Sequence, residues 1–412
     1  MEVLVDRCAG IDIGKSDMKV CVRIPSRRAG ARHSEVRTFK TTTVGILAAR
    51  DWLAEQQVTR VGMESTGVYW KPIYLLLEEL TECWLLNAGH LKKVPGRKTD
   101  VTDAQWIAQL VECGLVQPSF VPPEPIRRLR DLTRYRTSVL RERTREVQRL
   151  HDVLTDAGVR LDTVASDIMG VSGRRMIGAL IAGERDPETL AELAVGKLRS
   201  KRPALQEALV GRFNAHHGFM CQMMLTRIED IDATLADLEQ QIEAEMDSFR
   251  VIRELLQTIP GVGQTLAEVF IAETGADMTK FATPEQLCSW AGMCPGNNES
   301  AGRHGSTKTR KADVWLRSAL GLAAASAART HNTYLAARYQ RLVRRRGKQR
   351  ALVAVGHSIL QAAWYIMANQ VPYADLGADH YAHTGNTERR AHRLTSQLRA
   401  MGYRVTLEPE AA

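Results

Sequence analysis

A chain of 412 residues exceeds one ordinary hydrophobic core, so two or three domains are expected. Its 44% hydrophobic and 25% charged residues are those of a globular chain, and no unbroken run of about eighteen apolar residues marks a membrane span. The net charge of +9 and pI near 9.3 leave a polyanionic partner as the main electrostatic expectation.

The N-terminal stretch MEVLVDRCAGIDIG carries charges among its apolar residues and runs directly into a strand pattern, unlike a signal peptide. The seven cysteines, Cys8, Cys21, Cys83, Cys113, Cys221, Cys288 and Cys294, are odd in number, scattered, and form no CxxC pair. They suggest neither a disulfide framework nor a zinc site; small core fillers in a reducing cytoplasm are expected.

In chain order, CAGIDIG reads as a strand, GKSD as a tight turn and MKVCVRI as a second strand of period two. EVRTFK is a third strand, VGILAARDWLAEQQ a helix, and VTRVGMES a largely buried strand. VYWKPIYLLLEEL is a helix, CWLLNAG a fifth strand, and TDVTDAQWIAQLVECG a helix stopped by Gly114. This order predicts an α/β domain of RNase H-like (RuvC-like) type over residues 1–120. The proline-rich QPSFVPPEPIRR then marks a boundary.

Beyond it the chain reads as all-α. Residues 126–250 are expected to form a basic helical, coiled-coil-like linker. Leu140, Val147 and Leu154 stand one heptad apart, with Leu150 between the last two. A cleaner seam follows at Ile228, Ile231, Leu235, Leu238, Ile242, Met246 and Phe249. The two long helices could pair within one chain or between chains. Residues 251–375 read as a compact helical domain, and 376–412 as a polar, loose tail. His216 and His217 in NAHHGF read as loop or packing residues rather than ligands.

Asp12 interrupts an apolar strand, where a carboxylate is costly unless paired or metal-bound. Glu64 ends the fourth strand, which the topology places beside the first. Asp100 and Asp103, three apart at a helix start, share one face. Each acid alone has a blander reading, as a helix N-cap or a strand-end surface group. Together they form an oxygen-only set suited to Mg²⁺ or Mn²⁺ and to phosphoryl transfer. In the helical half, IPGVG resembles a helix–hairpin–helix turn, with Gly261 and Gly263 letting backbone N–H groups approach a phosphate.

Basic residues cluster. Residues 126–150 hold nine arginines against three acids, and 338–350 hold seven basic residues and no acid. Arg127, Arg128, Arg130, Arg134, Arg303, Lys308, Arg344, Arg345 and Arg346 are the candidate nucleic-acid contacts.

The ordered motifs GIDIGKSDMKV, MESTGVYW, KTDVTDAQWIA, IPGVG and PGNNESAGRHGSTKTRKADVWLRSAL resemble those of the DEDD-type insertion-sequence transposases, over most of residues 8–370. The better-known members of that family are bridge-RNA-guided recombinases. The resemblance implies that Asp12, Glu64, Asp100 and Asp103 are the acidic quartet. It also implies that Ser300 is a nucleophile forming a phosphoserine, with Ser306 as a competing candidate outside the matched ESAG core. A serine alcohol needs activation by a base or metal, so quartet and serine, from one chain or two, would form a composite site. The partners it implies are donor and target DNA, a structured guide RNA read mainly through its backbone, and a dimer or tetramer of the chain. No membrane partner is implied. A RuvC-like nuclease using water, a non-catalytic nucleic-acid-binding protein, and an actin-like sugar kinase are the rivals. A resolvase would need neither the ESAG loop nor the helix–hairpin–helix. The intact carboxylates oppose a non-catalytic role, and the helical remainder lacks the second α/β domain of a kinase.

Overall fold

The computed structural model describes residues 2–28, 31–65, 67–91, 103–296, 299–300, 303–304, 309, 312–383 and 387–406. The chain divides into two compact units, Met1–Pro122 and Pro123–Ala412.

The first unit is built on a five-stranded sheet. Strands β1 (Cys8–Ile13), β2 (Asp17–Pro25) and β3 (Arg32–Lys40) form an antiparallel meander. Helix α1 (Thr43–Glu55) starts where the Thr42 hydroxyl accepts from the Gly45 N–H. It leads to β4 (Arg60–Glu64), then α2 (Trp70–Leu77), β5 (Glu82–Leu86), the short α3 (Ala88–Leu91) and α4 (Asp103–Glu112). The sheet order is β3-β2-β1-β4-β5, with β4 parallel to both β1 and β5. The order of elements follows the sequence expectation. Several bounds differ by a few residues; among them β3 begins at Arg32, ahead of EVRTFK, the second helix stops at Leu77, and the fifth strand stops at Leu86, where the chain turns into α3.

One sheet face packs Ile11, Val20, Val61 and Met63 against Ile46, Leu53, Ile73 and Leu77 of α1 and α2. The other face is covered by α4. Gly10 and Gly62 make room for it, since a Cβ on Gly10 would lie 2.3 Å from the Ala104 carbonyl oxygen and the Ala108 nitrogen. The last turn of α4 is tied to the sheet by Glu112, which accepts from Arg23 at 3.0 Å and Arg32 at 2.7 Å.

Among its described residues the second unit is helical apart from one short strand pair and an isolated bridge. Helix α5 (Glu124–Asp156) is followed by α6 (Val171–Ile181), α7 (Pro187–Glu192), α8 (Arg202–Leu209) and the long α9 (Ala215–Glu245). Helices α5 and α9 pair within the chain and antiparallel. Arg128 meets Glu245, Arg143 meets Asp232, and Asp156 meets His217. The α9 seam, Ile228 to Ile242, is buried as its spacing predicts, and Val139 packs among Ile231, Leu235 and Leu238. On α5 the heptad reading holds only in part. Leu150 and Leu154 are buried, but Leu140 is exposed, and the buried stripe instead continues through Val139, Arg136, Thr133 and Leu129. Helices α6 to α8 cap the far end of this pair around Leu180, Leu190 and Leu205. His217, in the first turn of α9, forms a capping box with Asn214, and its Nε2 lies 3.2 Å from Asp156.

The chain continues through α10 (Arg250–Leu256), α11 (Gln264–Thr274), α12 (Pro284–Trp290), the strand pair β6 (Glu299–Ser300) and β7 (Arg303–His304), α13 (Val314–Ala327), α14 (Tyr334–Arg346) and α15 (Lys348–Asn369). The alanines of α13, buried at 319, 323, 324 and 327, allow close approach to its neighbours. By length and composition α15 is the one helix among the described residues that could cross a membrane, yet Val355, Ile359, Leu360 and Ala363 are fully buried in the helical core. The segment expected to be a loose tail contains two further helices, α16 (His380–His383) and α17 (Thr387–Ala400).

Candidate catalytic carboxylates and nucleic-acid surfaces

Side chains alternate across a strand, so residues two apart share a face. The Cys8 thiol donates to the Ala108 carbonyl at 3.5 Å, and Gly10 abuts Ala104. Asp12 is therefore the next residue on the α4 side of β1. Gly62 meets Ile107 and Val111, which places Glu64 on the same side of β4. The parallel register ends at Ile11–Met63, so Asp12 and Glu64 are the following residues on adjacent strands. Moving from Cys8 to Gly10, the strand passes from Ala108 towards Ala104. Beyond Gly10 lies the start of α4, and Asp103 is its first residue. Asp12 and Glu64 are half-buried and Asp103 is exposed.

Asp100 lies outside the described residues, and among those described no three Asp, Glu, His or Cys side chains are grouped closely enough to hold a metal. The donor set nevertheless fits a hard divalent cation: carboxylate oxygens only, at the C-terminal ends of two adjacent inner strands, with no thiol or imidazole among them. A residue that the sequence reading missed lies beside them. Lys19 is the cross-strand partner of Asp12, exposed and on the same face. The tight GKSD turn could have revealed it, because hairpin register follows from turn length.

In the helical unit, Ser300 pairs with Arg303 across the β6–β7 hairpin. Ser306 and Lys308 fall outside the described residues, as do the side chains of Ser300 and Arg303. The segment carrying Ser300 is closed at its base by a bridge between Pro295 and Thr309, and Arg317 of α13 donates to the Thr309 hydroxyl at 3.0 Å. The IPGVG turn joins α10 to α11. Its two glycines differ: a Cβ on Gly261, at φ +88°, would lie 2.5 Å from the Ala327 nitrogen. That glycine is thus required by the approach of α13. Gly263 is exposed, has open space where a Cβ would stand, and precedes α11 with no side chain capping the helix.

The arginines divide in the same way. Arg130 donates to the carbonyls of Ala272 and Glu273, and Arg134 makes two bonds to the fully buried Glu273 carboxylate, at 2.8 and 2.7 Å. Arg136 is buried against Glu268 at 2.6 Å. These side chains of the basic run are engaged inside the protein. Arg128 is exposed and paired with Glu124 and Glu245, Arg127 is half-buried, and Arg344, Arg345 and Arg346 are exposed at the end of α14. Burial raises the Cys8, Cys83 and Cys288 thiols to about 12, as befits inert core fillers.

Comparison with known proteins gives this arrangement a family. A transposase model of the DEDD IS110 type matches residues 9–158, and the model of the IS116/IS110/IS902 transposase family matches residues 253–340. An uncharacterized 42 kDa protein of insertion element IS900 from Mycobacterium paratuberculosis is 25% identical over 89% of this chain and 96% of its own. The transposase for insertion sequence element IS1111A from Coxiella burnetii is 25% identical over 78% of this chain and 81% of its own. An uncharacterized 44.8 kDa protein of insertion element IS116 from Streptomyces clavuligerus is 27% identical over 50% of this chain and 55% of its own. The chain belongs to the IS110/IS116 family of DEDD transposases, enzymes that cleave DNA and transfer strands.

Proposed function

We propose that this transposase cuts and exchanges the DNA strands of an insertion sequence by a magnesium-dependent route through a phosphoserine at Ser300, directed by a structured guide RNA. The observation that carries the reading is the shared face of Asp12 and Glu64 on adjacent strand ends, with Asp103 in the first turn of the helix covering that face. On this reading the first unit is an RNase H-like domain, Asp100 completes the quartet, and Mg²⁺ or Mn²⁺ held there supplies Lewis-acid stabilisation of a phosphate undergoing substitution. The Ser300 Oγ–P bond forms as the bond from phosphorus to the leaving deoxyribose oxygen breaks, and the serine proton passes to a base while that oxygen gains one. Attack by the hydroxyl of another strand reverses the step and frees the serine, so no ATP is required.

The α10–α11 turn would act as a helix–hairpin–helix, with Gly263 offering backbone N–H groups to a phosphate. Arg127, Arg128, Arg303, Lys308, Arg344, Arg345 and Arg346 would follow the nucleic-acid backbone, in a dimer or tetramer acting on DNA in the cytoplasm. The test is covalent trapping. The protein is incubated with Mg²⁺, a transcript of the non-coding segment flanking the element, and labelled element-end DNA, then denatured. Label on wild-type protein that is lost in both Ser300→Ala and Asp12→Ala supports the proposal. Cut DNA without an adduct, abolished by Asp12→Ala but not by Ser300→Ala, replaces it with hydrolysis.

A further inference from the structure

Arg134 stands among the expected nucleic-acid contacts, but its guanidinium lies between two carboxylates from distant parts of the helical unit. One is Glu273 on α11, fully buried and bonded through both oxygens. The other is Asp313, whose Oδ2 accepts from Arg134 at 3.2 Å. Asp313 is the N-cap of α13: its Oδ1 accepts from the Trp315 and Leu316 N–H groups at 2.8 and 2.9 Å. The Trp315 ring in turn lies beneath the guanidiniums of Arg134 and Arg141, 5.8 and 5.3 Å from its centroid. Asp313 is also the end of the segment that carries Ser300, four residues after Thr309 closes it onto Pro295.

We propose that Arg134 is a positioning residue for Ser300: by bridging Glu273 to Asp313, it couples the basic helix α5 to the root of the segment that presents the nucleophile. The inference rests on the reading of Ser300 given above. Its physical basis is charge balance. Without Arg134, Glu273 keeps Arg130, whose Nε lies 3.3 Å from its carboxylate, but Asp313 loses the guanidinium bonded to its Oδ2 while standing beside a second carboxylate, so it would turn outward and release the cap. Arg130 donates to the backbone carbonyls of Ala272 and Glu273 and pairs with the Glu273 carboxylate at 3.3 Å, so it shares the neutralisation of Glu273, whereas the Asp313 Oδ2 accepts from Arg134. The role requires a planar fork that reaches two acceptors at once, which an ammonium supplies poorly.

Two readouts on the full chain test this. In hydrogen exchange, Arg134→Ala should exchange the Trp315 and Leu316 amides about fivefold faster, the effect of a lost cap. Arg134→Lys should recover part of that protection, and the amides of α9 should remain as in the wild type. The double variant Arg134→Met with Glu273→Gln removes the bridge and the buried carboxylate together, leaving Arg130 on the backbone carbonyls of Ala272 and Glu273, so it keeps the test informative if Arg134→Ala fails to fold. In trapping with element-end DNA, both variants should form the Ser300 adduct about tenfold to hundredfold more slowly. DNA affinity and its salt dependence should not change. Wild-type protection at Trp315 and Leu316 in both variants overturns the proposal whether or not an adduct is seen. A reduced salt slope in Arg134→Ala also overturns it, by making Arg134 a phosphate contact. A wild-type chain that forms no adduct, but shows the predicted exchange pattern, refutes the serine reading and leaves the bridge standing.

Discussion

Gly10→Ala isolates the contact on which the carboxylate arrangement depends. The added Cβ would lie 2.3 Å from both the Ala104 oxygen and the Ala108 nitrogen, whereas ordinary contacts begin near 3.4 Å. The obstructing atoms are helix backbone and cannot rotate away, so α4 must withdraw from β1 by about 1 Å. Overpacking of this kind costs about 1–3 kcal/mol, which for a unit of this size lowers its melting temperature on the order of 5–10 °C. Asp103 begins α4 and would move with it, away from Asp12. A misplacement of about 1 Å at a reacting centre can cost on the order of a hundredfold in rate. Gly62→Ala is the comparison: its Cβ would meet the Val111 Cγ2 methyl at 2.5 Å, and a side chain can yield. Calorimetry of the full chain, with hydrogen exchange to assign the transition containing α4, measures the stability. The trapping assay measures the consequence at the site. If Gly10→Ala melts and reacts as the wild type does, the close approach of α4 to β1 does not set the separation of Asp103 from Asp12, and the argument for a shared face fails.

The two hairpin glycines should separate folding from binding. Gly261→Ala should destabilise the helical unit by a few kcal/mol, about 1–3, through its clash with α13 and its positive φ, whereas Gly263→Ala should fold normally and weaken DNA binding; equal melting temperatures would contradict this. Burial pushes the Glu273 carboxyl up to about 6 from 4.5, with Asp313 adding to the rise and Arg134 opposing it. The folded state therefore holds this proton to higher pH than the unfolded chain does. The stability it contributes is complete below pH 4.5 and is lost as pH rises through 6, about 2 kcal/mol in all. The stability difference between wild type and Glu273→Gln should shift by that amount over this window, against the wild type, and a flat difference would refute the assignment. Replacing Arg344, Arg345 and Arg346 together by alanine should reduce the slope of log affinity against log salt by about 2 to 3, roughly 0.9 for each phosphate no longer neutralised. An unchanged slope would remove α14 from the nucleic-acid surface.

The alternation of β1 and β2, the helical spacing of α9 and the proline-rich boundary before α5 were legible because each depends on neighbours within a few residues. The acids at 12, 64 and 103 were legible for a similar reason: a carboxylate in an apolar strand, or at a helix start, stands out against its local pattern. The fate of the arginines was not legible. In sequence, Arg130, Arg134 and Arg136 look like Arg344, Arg345 and Arg346. Only the first three meet acids from α11, more than 130 residues away. Gly261 and Gly263 likewise look alike in the chain, yet α13 lies against only the first.

The sequence by itself determined the order of elements, the α/β-then-helical division, and which carboxylates stand out as candidates for the proposed metal-assisted phosphate chemistry. These are properties of local periodicity and of side-chain chemistry, and they need no knowledge of what packs where. Tertiary structure decided that the two long helices pair within one chain, that β4 lies beside β1 so that Glu64 follows Asp12 across the sheet, and which basic side chains are used inside the fold. An ion pair or a close backbone approach is a relation between two surfaces, and its energy depends on a burial that neither segment encodes alone.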